Sequence, residues 1–475
     1  MKPIEALLHL IYKEPEEWLA YLHGQKLDEL ESYRNSRPPI SGAFFHCLYF
    51  FLFMLRNFAS SLTSRKEDTS KGPEYFLYAN TLNQYTSIKE TADSLKKRGK
   101  IVHNYTFKKQ VLTSSNEEFI FAPVKIIHIL CATAVLIIKS PSLYVRLKRK
   151  DPILTKHFFI FFIQSYFFLI VFHDLLSKNK PSFVIISNDH SVDCRSLLCV
   201  ARHLSIKTVY MQHASVSEVF PALTVDYAFL DGPAALNVYR KCEKNLPPEK
   251  EKRTRPIVIL SGQKKPLQGI STRETIRVGI ATNRLDDMNR IIDLASHLAE
   301  KGIPVSLRWH PRQLAADTTL LQKHFSDSHL VNLSEPGNQD IGSYLSELSH
   351  LISGNSSILL ESAIAGVSPI YHEVQPPFIE DYYGYVRHGL ATKIDSWDKI
   401  VDFVKSTDNG GPNVKATRFY SATYLTEWHG KEGDLVATSL IKLQQNCSVQ
   451  SLWGYVPFLS HGDTDDTDSQ ASSIE

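Results

Sequence analysis

The sequence predicts an α/β protein made of two doubly wound domains, and three observations predict it. The length of 475 residues is too great for one simple core. Short apolar runs alternate with stretches of helical periodicity. Polar clusters follow several of those runs, where open parallel sheets bind ligands. An apolar fraction of 43% excludes a mostly disordered chain, and 21 Gly with 23 Pro exclude collagen-like or low-complexity architecture. With 53 basic and 50 acidic residues the formal net charge is +3, so no global field marks a nucleic-acid binder. The six cysteines are scattered; only Cys194 and Cys199 lie close, without zinc spacing, which reads as reduced thiols in a cytosolic protein.

Residues 1–72 read as a helical extension ending in a polar linker at 64–72, with no secretory signal. An N-terminal Rossmann-like domain is expected over 73–242. Its first strand is YFLYA (75–79), followed by an amphipathic helix over 86–98 and a strand over 100–105. The pattern recurs as a strand at 182–187, a helix at 192–204 and a strand at 207–211. Residues 243–272 read as a linker holding one strand, 257–260. A second Rossmann-like domain is expected over 273–430, with strands at 276–281, 305–309, 329–333, 349–353 and 368–371. Its helices fall at 286–301, 314–325, 340–348 and 357–365. A helix within 431–460 should return to the first domain, and the tail 461–475 is acidic, polar and expected to be disordered.

Three apolar stretches need a separate explanation. Residues 43–55 are too few for the roughly 20 that span a bilayer. Residues 119–138 carry Lys125 and His128, and residues 158–172 are almost continuously aromatic and aliphatic. Between the last two lies the basic run YVRLKRK (144–150). Burial of helices around a solvated basic loop is one reading, burial plus peripheral contact with an anionic membrane is a second, and spanning is the third.

The chemistry is sought at strand ends. After 349–353 comes Gly354-Asn355-Ser356-Ser357, where a glycine turn would present two hydroxyls and backbone N–H groups to a phosphate at a helix start. Plain N-capping is the alternative. Glu361 lies on the same helix, within reach of a ribose hydroxyl. After 305–309 comes His310-Pro311-Arg312: Pro311 fixes the backbone, a protonated His310 would donate to a leaving phosphate, and Arg312 adds positive charge. In the first domain, Asn188-Asp189-His190, Gln212-His213-Ala214 and Asp231-Gly232 follow strands, and Asn80 to Gln84 follow the first. Asp286-Asp287 reads as a helix cap before a metal-binding pair, so no metal or cofactor is expected. The segment FIEDYYGYVR (378–387) is expected near the cleft.

The His-Pro and Ser-Ser dipeptides resemble two motifs of bacterial sialyltransferases and polysialyltransferases, which have the two-domain GT-B fold. That resemblance spans roughly 180–400 and implies that His310, Ser356 and Ser357 hold the phosphate and cytidine of a CMP-linked donor. The wider pattern GNSSxxxExxxxG (354–366) also resembles teichoic-acid glycerophosphate polymerases, capsular Kdo transferases and UDP-GlcNAc 2-epimerases. The acidic pair with Gly that serves the sialyltransferases as base is missing after 207–211, where His213 stands instead, as in the glycerophosphate polymerases. The resemblance therefore implies His213 as acceptor base, with Asp189 or Asp231 as substitutes. It implies a GT-B glycosyltransferase that takes a nucleotide-activated sugar, CMP-linked favoured, to a glycan or lipid-linked acceptor of a bacterial capsule or lipopolysaccharide, at the cytoplasmic face of the membrane. A CDP-linked polyol-phosphate transferase, a nucleotide-sugar epimerase and a non-catalytic capsule scaffold are the alternatives.

Overall fold

The computed structural model describes residues 2–13, 42–63, 72–108, 119–150, 152–216, 218, 220–244, 255–263, 276–284, 286–375, 379–406 and 411–459. The expected linkers at 64–72 and 243–272 lie largely outside these residues, and the acidic tail lies wholly outside them.

The first lobe opens with α1 (Lys2–Lys13) and α2 (Ala43–Thr63). There follow β1 (Tyr75–Tyr78), α3 (Leu82–Lys97), β2 (Val102–Thr106), β3 (Phe119–Phe121), α4 (Ile126–Lys150) and α5 (Pro152–Asn179). The lobe continues through β4 (Phe183–Ile186), α6 (Val192–His203), β5 (Lys207–Met211), β6 (Tyr227–Leu230), α7 (Pro233–Lys244) and β7 (Ile257–Leu260). The second lobe holds β8 (Val278–Ala281), α8 (Met288–Glu300), β9 (Val305–Arg308), α9 (Ala315–His324), β10 (Val331–Ser334) and α10 (Ile341–Ser346). It ends with β11 (His350–Ser353), α11 (Ile358–Ile364), β12 (Ser368–Tyr371), β13 (Thr392–Lys393) and α12 (Trp397–Lys405). The chain then crosses back through α13 (Val414–Tyr420) and α14 (Glu432–Gln444) to β14 (Tyr455–Val456).

Two sheets result. The first runs β14-β7-β6-β5-β4-β1-β2-β3, parallel except for β14; the second runs β10-β9-β8-β11-β12-β13, parallel throughout. Most of their strands are four- and five-residue apolar runs buried on both faces, such as YFLY at 75–78 and FVII at 183–186, because helices cover both sides. Each sheet has one place where the strand order reverses direction: between β1 and β4 in the first, between β8 and β11 in the second. These are the crevices where such sheets take ligands. Because β7 pairs with β6, the stretch read as a linker contributes a strand to the first sheet.

The apolar stretches depart from expectation. The first is part of the 21-residue α2, and the basic run 144–150 is the last turns of α4 rather than a loop. That placement suits the negative end of the helix dipole. Pro123 separates β3 from α4, dividing the second stretch between a strand and a helix. By length and composition α2, α4 and residues 158–179 of α5 could each cross a membrane. Burial separates them: 72% of the most apolar window of α5 is buried, against 28% for α2 and for α4. Phe158, Phe162, Ile163, Phe167 and Phe172 of α5 carry the core of this region, each contributing about 2–3 kcal/mol.

Candidate active site

In the second lobe, β8 lies between β9 and β11, so three strand ends converge at the switch point. The His310 N–H donates to Thr282 Oγ1 at 3.1 Å, tying the end of β9 to the end of β8. Ser353 Oγ donates to the Ala281 carbonyl at 2.8 Å, tying β11 to β8 from the other side. His310 and the Ser356-Ser357 pair thereby flank the end of β8, about 10 Å apart by strand spacing. Both serines are half-buried, and Ser357 Oγ lies 3.4 Å from Glu361 Oε1.

His310 Nδ1 accepts the Arg312 backbone N–H at 3.0 Å, so Nε2 carries the hydrogen. Burial, followed by the charges of Arg312 and Arg284, holds the imidazole below its usual range. Nε2 is therefore the donor the ring offers, and exposed Arg312 and Arg284 add positive charge beside it.

The Gly354-Asn355 turn has a different occupant from the one expected. The Asn355 N–H donates to Glu373 Oε1 at 2.9 Å. A Cβ on Gly354 would stand 2.3 Å from the same carboxylate, which would have to move aside. The Asn355 side chain pins the 379–382 loop, donating to the Ile379 carbonyl at 2.6 Å and accepting the Tyr382 N–H at 2.8 Å. This turn wraps an internal carboxylate, and the half-buried Ser356 and Ser357 follow it at the start of α11. Glu361 is 6% exposed, on α11 below the two serines. Asp287 caps α8 by accepting the Asn289 N–H at 3.0 Å. Burial pushes the Asp286 carboxyl up to about 6; the Asn283 N–H opposes that shift and the Glu373 charge reinforces it.

In the first lobe, the switch point between β1 and β4 gathers Asn80, Asn188, Asp189 and His190. Asn80 accepts the Phe107 N–H at 2.9 Å and donates to Asp193, which also takes the Tyr78 hydroxyl at 2.8 Å. This network fixes the ends of β1 and β2. Asp189 is 2% exposed; its Oδ1 lies 3.2 Å from His190 Nδ1, and its Oδ2 is buried with no hydrogen-bond partner among the described residues. Such an oxygen is costly to keep and marks a group held for a purpose. The half-buried His190 ring, oriented by Asp189, is the functional candidate that sequence reasoning passed over. The cluster Asn188-Asp189-His190 was its only signal.

His213 follows the neighbouring β5, in a loop braced by the Gln212 side chain, which donates to the Ala214 carbonyl at 3.0 Å. Ser215 in that loop meets the Tyr385 hydroxyl of the second lobe at 2.9 Å, so the carboxyl ends of the two sheets face each other. Asp231 is 4% exposed, and its carbonyl takes the N–H groups of Gly262 and Ala422. A Cβ on Gly232 would meet the backbone of Phe419 and Tyr420 at 2.7 Å. The returning segment therefore packs against the ends of β6 and β7, beside Asp231. Among the described residues no cluster of three metal-ligating side chains occurs.

The fold is of the GT-B type. Scanning against protein-family models gives no match, and a search of curated proteins gives none. Among solved structures the chain is similar to a candidate UDP-N-acetylglucosamine 2-epimerase from Listeria monocytogenes, with a TM-score of 0.53 and 10% identity. That match covers 81% of this chain and 99% of the other. A second UDP-N-acetylglucosamine 2-epimerase structure matches with a TM-score of 0.51 and 14% identity, covering 79% and 97%. At these identities the likeness is one of fold.

Proposed function

We propose that the protein is a GT-B transferase that moves a sugar from a nucleotide-activated donor to an acceptor hydroxyl. The observation that carries this reading is that the polar clusters coincide with the switch points of both facing sheets. The donor phosphate lies at the end of β8, against Nε2 of His310 and the hydroxyls of Ser356 and Ser357, with Arg284 and Arg312 supplying charge. The acceptor hydroxyl lies against the first lobe. In this reading the hydroxyl displaces the Asn188 amide, which lies 3.4 Å from Nε2 of His190, and its proton passes to that nitrogen while Asp189 orients the ring through Nδ1. As the acceptor oxygen bonds to the anomeric carbon, the bond from that carbon to the phosphate oxygen breaks, and the nucleotide leaves with the negative charge. Donors placed at that phosphate lower the barrier. A CMP-linked donor is favoured by the His-Pro and Ser-Ser dipeptides, and a bacterial surface glycan is the acceptor they suggest.

His213, on the adjacent strand end, is the competing base. Turnover with CMP-, CDP- and UDP-linked donors decides between them: His190→Ala and Asp189→Asn should lower it ~10²–10⁴-fold, with nucleotide affinity kept. Loss in His213→Ala with near-normal His190→Ala would move the base to His213. The second reading, a nucleotide-sugar epimerase, draws on the two structural neighbours. It predicts epimerised donor in the absence of acceptor, which the same assays detect.

A further inference from the structure

We infer that α2 and α4 form a monotopic membrane-docking face, lying in the plane of an anionic lipid surface. Among the described residues, more exposed large apolar side chains sit on these two helices than on the rest of the molecule together. They form stripes at helical spacing, as with Phe44, Leu48 and Leu52 of α2 and Ile127, Ile137 and Ile138 of α4. A soluble monomer rarely leaves such a surface uncovered.

The two helices run antiparallel along each other, each with its stripe exposed. At one end Ser61 Oγ accepts the Val124 N–H at 2.9 Å; at the other, His46 and Tyr144 both pack on the Phe159 ring. The inner sides of both helices rest on α5. Tyr78, at the end of β1, touches Phe172 of α5, with ring centroids 5.3 Å apart. The twenty residues of α5 that precede Phe172 therefore project about 30 Å past the carboxyl edge of the sheet. The tip of this projection carries exposed Arg146, Lys148, Arg149 and Lys150. There an open groove of about 730 Å³ is lined by Pro141, Ser142, Val145, Arg146, Arg149 and Lys150.

This pairing of an apolar face with a cationic rim selects the occupant. Acyl chains cover the stripes, and lipid phosphates meet the basic tip. Insertion tip-first would carry four cations into hydrocarbon, and crossing by α5 would take the sheet with it, so the face lies flat. The inference is independent of the transfer chemistry and is read by binding alone.

The experiment is co-sedimentation of the purified full chain with phosphatidylcholine vesicles, with and without about a third of phosphatidylglycerol. Binding should require the anionic lipid. Lys148→Glu with Arg149→Glu should weaken it at least ~10-fold and make the remainder salt-sensitive. Ile137→Asp with Ile138→Asp should abolish it while the far-ultraviolet circular dichroism and monomeric sedimentation stay unchanged. Three results would overturn the inference. One is no vesicle binding by the parent chain. Another is a parent dimer that the apolar pair of substitutions converts to monomer, which would make the face a contact between copies. The third is resistance to carbonate extraction with protease sites shielded on both sides, which would mean that the helices span.

Discussion

Asp286 shows how single residues set the pH response of the second lobe. Its carboxyl, pushed up to about 6 by burial, stands beside Glu373 at the edge of the region where a phosphate would lie. A folded-state value above the usual 3.8 means that the native protein holds more protons than the unfolded chain between about pH 4 and pH 6. Its contribution is therefore favourable at low pH and is lost as pH rises through about 6. Asp286→Asn keeps an acceptor for the Asn283 N–H without the charge, so it should raise the melting temperature at pH 8 and leave it nearly unchanged below about pH 3.8. Equal shifts at both pH values would show that the carboxyl is not penalised by burial. The same substitution should tighten nucleotide binding at pH 8, because a negative charge near the phosphate is gone. His310 was legible from the sequence because Pro and Arg beside it made a local pattern. Glu373 was not: its hold on the Asn355 N–H joins residues 18 apart in sequence through the pairing of β11 and β12, and no window of sequence contains it.

At the level of elements, the strands were readable because parallel strands buried on both faces are short continuous apolar runs, and most strands stand within two residues of expectation. Helix environment was not readable. Hydropathy rates α2, α4 and α5 alike, yet one is core and two are largely exposed, since composition does not distinguish a protein neighbour from lipid. The joint between lobes was also hidden, because it depends on close backbone approach. Gly262 has φ +72°, and a Cβ there would stand 1.8 Å from Thr423 Oγ1. Gly262→Ala should destabilise by about 2–4 kcal/mol, combining left-handed strain with overpacking. Gly99→Ala, at φ +76° with nothing within 4 Å, should cost only about 1–2 kcal/mol. Chemical denaturation of both variants checks this, and equal losses would mean that the 421–423 contact carries no strain.

For the whole molecule, the proposed function divides the work between two facing sheets with polar switch points: one lobe would hold the donor phosphate and the other would prepare the acceptor. The overall architecture was legible from alternating elements, whereas the choice of base was not, because His190 and His213 differ only in what surrounds them. The central claim is that the end of β8 binds the nucleotide. Calorimetric titration of CMP and UDP into the parent chain, His310→Ala and His190→Ala tests it most directly. Loss of a hydrogen bond to a charged group predicts binding ~10–100-fold weaker in His310→Ala, with His190→Ala unchanged. Equal affinity in the parent chain and His310→Ala, or loss only in His190→Ala, would contradict the claim and move the nucleotide to the other lobe.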